Sequence, residues 1–148
     1  VRLQRQQESA RRIVSWLLDR PEVAEVFYPG LDGDPQGLLD RQMRGTGAMV
    51  AMRMRGGYAA ASAVASATRL FTHAVSLGGV DSLIQHPAAL THRPVPAESR
   101  PAADILRLSI GLEAADDLIA DLAAAFAGAS TSDRVAPLHD ARTGAGRS

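Results

Sequence analysis

The stretch "DILRLSIGLEAADDLIADLAAAFAG", residues 104 to 128, decides the fold, because its periodicity changes halfway along. In residues 104 to 110, Leu106, Leu108 and Ile110 face one way and Arg107 and Ser109 the other. That two-residue alternation is a strand. Gly111 ends it. Residues 113 to 128 then follow the wider spacing of an amphipathic helix. Glu113, Asp116 and Asp117 are placed in its first turns, where the helix dipole favours anions. Gly128 is placed just past its end. A strand feeding directly into a helix makes this a mixed α/β chain.

Working outward, "FTHAVS" (71–76) reads as another strand, and alanine-rich "YAAASAVASATRL" (58–70) as a helix. "AMVAMRMR" (48–55) reads as a strand closed by Gly56-Gly57 and preceded by a Gly45-Thr46-Gly47 turn. Leu38 to Met43 forms a short helix, and residues 32 to 37 a loop. "EVAEVFYPGL" (22–31) is a strand closed at Pro29-Gly30, and residues 2 to 19 form a helix stopped by Pro21. The order is helix, strand, strand, helix, strand, strand, helix. It predicts an α/β (α+β) fold: a small, mostly antiparallel sheet of about four strands with flanking helices. Residues 129 to 148 are polar and rich in Gly and Ser, and are expected to be a disordered tail.

A length of 148 residues favours one domain. Apolar residues make up 46% but aromatics only 4%, so the core must be built from Ala, Leu, Val, Ile and Met. Formal net charge is zero, which argues against general affinity for nucleic acid or an anionic membrane. No apolar run approaches the roughly 18 residues of a membrane span. The absence of cysteine excludes disulfides, thiolate metal sites and a cysteine nucleophile, and fits a cytoplasmic location. All 16 basic residues are arginine. The chain opens at Val1 inside a helix, so it reads as a piece of a longer polypeptide.

The candidate site lies in "VSLGGVDSLIQHPAALTH", residues 75 to 92, where small polar groups gather around a glycine turn. Ser76 has two readings: a turn serine capping backbone donors, or a hydroxyl presented to a ligand on a rigid strand end. Arg107 also has two: a paired or solvated structural arginine, or a planar fork gripping a carboxylate. His73, His86 and His92 have no metal-ligand spacing, and no HExxH, GxGxxG or GxxxxGK[ST] occurs. Asp116 and Asp117 read as dipole-favoured helix residues, and Arg2, Arg5, Arg11 and Arg12 as a solvated face.

Taken in order, "VFYPGL" (26–31), "SLGGVDSLIQHPAALTH" (76–92) and "LRLSIGLEAADDLIADL" (106–122) resemble the C-terminal domain of the Cys/Met-metabolism, pyridoxal-phosphate-dependent enzymes. That family includes cystathionine lyases, cystathionine γ-synthase and methionine γ-lyase. The resemblance implies a fold type I enzyme, in which a large cofactor-binding domain precedes a smaller C-terminal one. Residues 1 to 128 would be the C-terminal domain and 129 to 148 a tail. The large domain, with its pyridoxal phosphate and Schiff-base lysine, would be absent from this chain. The resemblance further implies that Arg107 grips the substrate α-carboxylate, that Ser76 assists there, and that Thr91 lies nearby. A fork that fixes the carboxylate also fixes the α-carbon against a cofactor.

The implied substrate is a sulfur-containing amino acid. The implied assembly is a cytoplasmic homotetramer, with neither nucleic acid nor membrane as partner. With no lysine, the chain alone is expected to be inactive. Two positions depart from the family pattern. Val75 stands where γ-synthases and many γ-lyases have a glutamate before the serine, as methionine γ-lyases and some β-lyases do not, and Asp81 is one methylene shorter than the usual glutamate. Val75 tilts the expectation toward a carbon–sulfur lyase over a γ-synthase-type transferase. A non-catalytic binding module is the alternative from another class.

Overall fold

A computed structural model describes residues 1–31, 36–90 and 102–132. Thr91, His92 and the tail from residue 133 lie outside the described residues. Helix α1 (Arg2–Leu18) is followed by β1 (Val23–Phe27), α2 (Leu38–Gln42), β2 (Met49–Met54) and α3 (Gly57–Ala67). Then come β3 (Thr72–His73), β4 (Leu83–Gln85), α4 (Pro87–Leu90), β5 (Ile105–Ser109) and α5 (Ala115–Ser132).

The strands of the described residues form one five-stranded sheet in the order β1-β2-β5-β4-β3. β2 pairs antiparallel with β1 and β5, β4 pairs antiparallel with β5, and only the two-residue β3 runs parallel to its neighbour β4. The expected mostly antiparallel sheet is therefore present with one strand more than the four expected. The extra strand is Leu83–Gln85, which the sequence reading had absorbed into the glycine loop. The expected strand over 71–76 pairs only at Thr72 and His73.

Alternation dictates which side of the sheet is covered. Val50, Met52 and Met54 of β2, Leu106 and Leu108 of β5 and Ile84 of β4 point into one core with the helices. α1 presents Ala10, Ile13, Val14 and Leu17 to that core, the stripe expected of a helix lying on a sheet. Trp16 stacks on Phe126 of α5 with ring centroids 5.6 Å apart, and Arg20 lies over the Trp16 ring at 5.0 Å. The opposite face of the sheet carries Ala51, Arg53, Ile105 and Arg107, all only partly buried, with Gln85 and Ser109 buried beside them. The helix-packed core thus lies on one side of the sheet among the described residues.

Two helix ends differ from expectation. α5 continues through Gly128 to Ser132, because a glycine inside a helix costs only about 1 kcal/mol relative to alanine. It starts at Ala115, so Asp116 and Asp117 occupy its first turn and Glu113 stands before it. No described helix is long and apolar enough to cross a membrane.

Candidate carboxylate-binding site

Arg107 sits at the middle of β5, in register with Ala51 on β2 and Gln85 on β4. It therefore stands near the centre of the face opposite the core. Its Nη2 donates to the carbonyl of Ser76 at 3.1 Å. Among the described residues it has no acidic partner; the ion pairs there join Arg5 to Glu8, Arg12 to Asp116, and Arg53 to Glu25 and Asp104. A guanidinium carries five N–H donors in a fixed fork, so one bond to a carbonyl leaves donors for an anion.

Ser76 opens the loop between β3 and β4. The structure brings it beside Arg107 through its carbonyl, while the residue itself is exposed. Val75, next to it, is 57% exposed. His73 is exposed on β3, whereas His86 is buried, with Nε2 2.7 Å from the Ala103 carbonyl oxygen and its ring 4.8 Å from that of Tyr58. No group of three potential metal ligands assembles among the described residues.

What holds the Ser76 loop is the chain just after Arg107, and the two stretches are bonded rung by rung. Gly78 adopts φ of 75°, a left-handed conformation open to glycine, and its N–H donates to Ser109 Oγ at 2.9 Å. This explains why Ser109, on the side opposite the core by alternation, is nonetheless buried. The Leu112 N–H donates to the Val80 carbonyl at 2.7 Å. Glu113 accepts from the Ser82 N–H at 2.8 Å and from the Ser82 hydroxyl at 2.7 Å. The same hydroxyl oxygen accepts the Gly111 N–H at 2.8 Å. Gly111 must be glycine, since a Cβ there would run into the Val80 carbonyl and the Glu113 carboxylate. From α1, Gln6 Nε2 donates to the Gly79 carbonyl at 2.6 Å.

Gln6, Ser82, Ser109 and Glu113 hold the loop in place, which their sequence pattern does not by itself reveal. Gln6 had a readable signal: it lies in phase with Ala10, Ile13 and Leu17 on the core stripe and is only 2% exposed. Glu113 was assigned to the helix dipole, but its carboxylate is bonded to Ser82 instead.

A permanently cationic fork thus stands on one face of the sheet of an α/β domain, beside a glycine loop stitched to the chain that follows it. Residues 1–127 match the family described as Cys/Met metabolism PLP-dependent enzyme, and the chain belongs to that family. It is 52% identical over 127 residues to an L-methionine gamma-lyase of Brevibacterium aurantiacum, covering 85% of this chain and 31% of that protein. It is 45% identical over 124 residues to a cystathionine gamma-synthase of Mycobacterium bovis, covering 82% of this chain and 32% of that protein. The crystal structure of cystathionine gamma-lyase from yeast superposes with a TM-score of 0.79 at 41% identity, over 87% of this chain and 35% of that one. The chain thus spans about a third of the length of the curated relatives it matches.

Pyridoxal phosphate requires an amine for its aldehyde carbon and an acidic partner for its ring nitrogen. The residues present do not fit it. The chain has no lysine among its 16 basic residues, all of them arginine. Beside Arg107, Ala51 and Gln85 supply neither an amine nor an anion.

Proposed function

We propose that this chain is the substrate-carboxylate-binding part of a PLP-dependent carbon–sulfur lyase acting on cystathionine or a related sulfur amino acid. The observation that carries the reading is Arg107: a guanidinium with no acidic partner among the described residues, held at the Ser76 carbonyl on the face of the sheet opposite the helix-packed core. A carboxylate would dock on its free donors in two parallel hydrogen bonds, and Ser76, and Thr91 in the same stretch, would complete the pocket. Residues 1–128 serve as the C-terminal domain. The cofactor and its lysine belong to a large domain not contained in this sequence, so the 148 residues alone are inactive. The complete enzyme assembles as a homotetramer.

The lyase reading is supported by exposed Val75, which puts an apolar surface beside the carboxylate site, and by relatives at 52% identity named L-methionine gamma-lyase. The γ-synthase reading keeps support from relatives at 45% identity that carry that name.

The test is activity of the full-length gene product on cystathionine, with and without pyridoxal phosphate, for wild type and Arg107→Ala. Cofactor-dependent release of pyruvate or 2-oxobutyrate is expected, with kcat/KM falling about a hundredfold or more in the variant through loss of charge-assisted hydrogen bonds. No keto acid, with cystathionine formed from an activated homoserine ester and cysteine, would give the transferase reading instead. A variant as active as wild type would remove Arg107 from the site.

A further inference from the structure

A chamber of about 350 Å³ opens between α3, α5 and the ends of β1 and β2. It lies on the helix-covered side of the sheet, opposite Arg107, and its size is that of a small-molecule site. Met54, Val64 and Phe126, all buried, form its apolar floor. Its walls are alanines, Ala60 and Ala63 from α3 and Ala129 from α5. Their single methyl groups leave the space that longer side chains would fill.

The mouth of the chamber carries two opposite charges. Glu22 and Arg55 both line it, and the Arg55 N–H donates to the Glu22 carbonyl at 2.9 Å, which fixes the two residues side by side. Glu22 is partly buried, with Oε2 turned away from solvent and accepting no hydrogen bond among the described residues. A carboxylate oxygen withdrawn from water without a donor is costly and calls for a cation. Neither Glu22 nor Arg55 belongs to an ion pair among the described residues. An amine alone would leave Arg55 unmatched, and an acid alone would meet Glu22. A zwitterion with an apolar side chain satisfies both charges and the chamber.

We propose that this chamber is a second ligand site, separate from Arg107, that takes a free apolar α-amino acid. The ammonium group pairs with Glu22, the carboxylate with Arg55, and the side chain enters the alanine-walled space.

The experiment is calorimetric titration of the full-length gene product carrying Arg107→Ala, which disables the proposed substrate site. L-Leucine, L-methionine and L-phenylalanine are the probes, with phenethylamine and 3-phenylpropanoate as single-charge controls. At least one amino acid is expected to bind saturably, about tenfold or more tighter than the controls. Adding Glu22→Gln should weaken that binding by a similar factor, and Ala63→Leu should abolish it by filling the chamber. Thermal melts establish that each variant is folded, and Glu22→Gln, at the mouth, decides the matter where Ala63→Leu is not. The proposal is overturned if no amino acid binds, if binding is indifferent to Glu22→Gln, or if a single-charge control binds as tightly as L-phenylalanine.

Discussion

Leu106 and Leu108 of β5 are fully buried under the helices, while Arg107 between them is half-buried on the face opposite that core. One strand therefore serves two surfaces with different demands. The covered side is governed by volume: every methyl group removed there leaves a void. The opposite side is governed by hydrogen bonds and charge, and its parts are held by the loop stitched across Ser109, Gly111 and Glu113. The contrast teaches that close packing and accessible charge alternate in β5 at a spacing of one residue.

Leu108→Ala should give the largest effect, a loss of about 2–5 kcal/mol in urea unfolding. A loss under about 1 kcal/mol would mean the covered face is not closely packed. Gly111→Ala should come next, at about 1–3 kcal/mol, because the new methyl group forces the two stitched stretches apart. It should also speed exchange of the Gly78 and Ser82 amides in a hydrogen-exchange measurement. Ser82→Ala removes a fully buried hydroxyl that both donates to Glu113 and accepts from Gly111, and should cost about 1–3 kcal/mol.

Arg107→Ala should alter unfolding by no more than about 0.5 kcal/mol, since its one described bond is to an exposed carbonyl. A larger loss would join the two faces that the comparison separates. Smallest of all should be Arg12→Ala. Its partner Asp116 has a 77% exposed side chain, so about 0.5 kcal/mol or less is expected, vanishing in high salt.

The sequence made the covered face readable because apolar residues there alternate in residues 105 to 110, with only buried Ser109 departing from the burial pattern, and form a helical stripe in α1. Arg107 was readable for the converse reason, as a charge set between two buried leucines. β4 was not, since three residues, Leu83 to Gln85, are too short to display a period. Neither was the order β1-β2-β5-β4-β3, which depends on pairings between residues far apart in the chain. Glu113 is not distinguishable in sequence because an acidic residue two positions before a helix looks the same whether it serves the dipole or a distant serine. Gly128 looked like a stop signal, yet packing of Ala125, Phe126 and Ala129 carries α5 past it.

The position of β5 has a consequence for how the protein is made. Among the described residues it is the last strand in sequence and the middle strand of the sheet. On the ribosome, β1 and β2 can pair as soon as both emerge, but β4 and β3 have no seat until residues 105 to 109 follow. At about 5–20 residues per second, the free edge of β2 waits several seconds for its partner. During that interval it is an open template for any other extended segment. A message cut short before residue 105 would therefore yield two unjoined half-sheets, prone to aggregate rather than to fold.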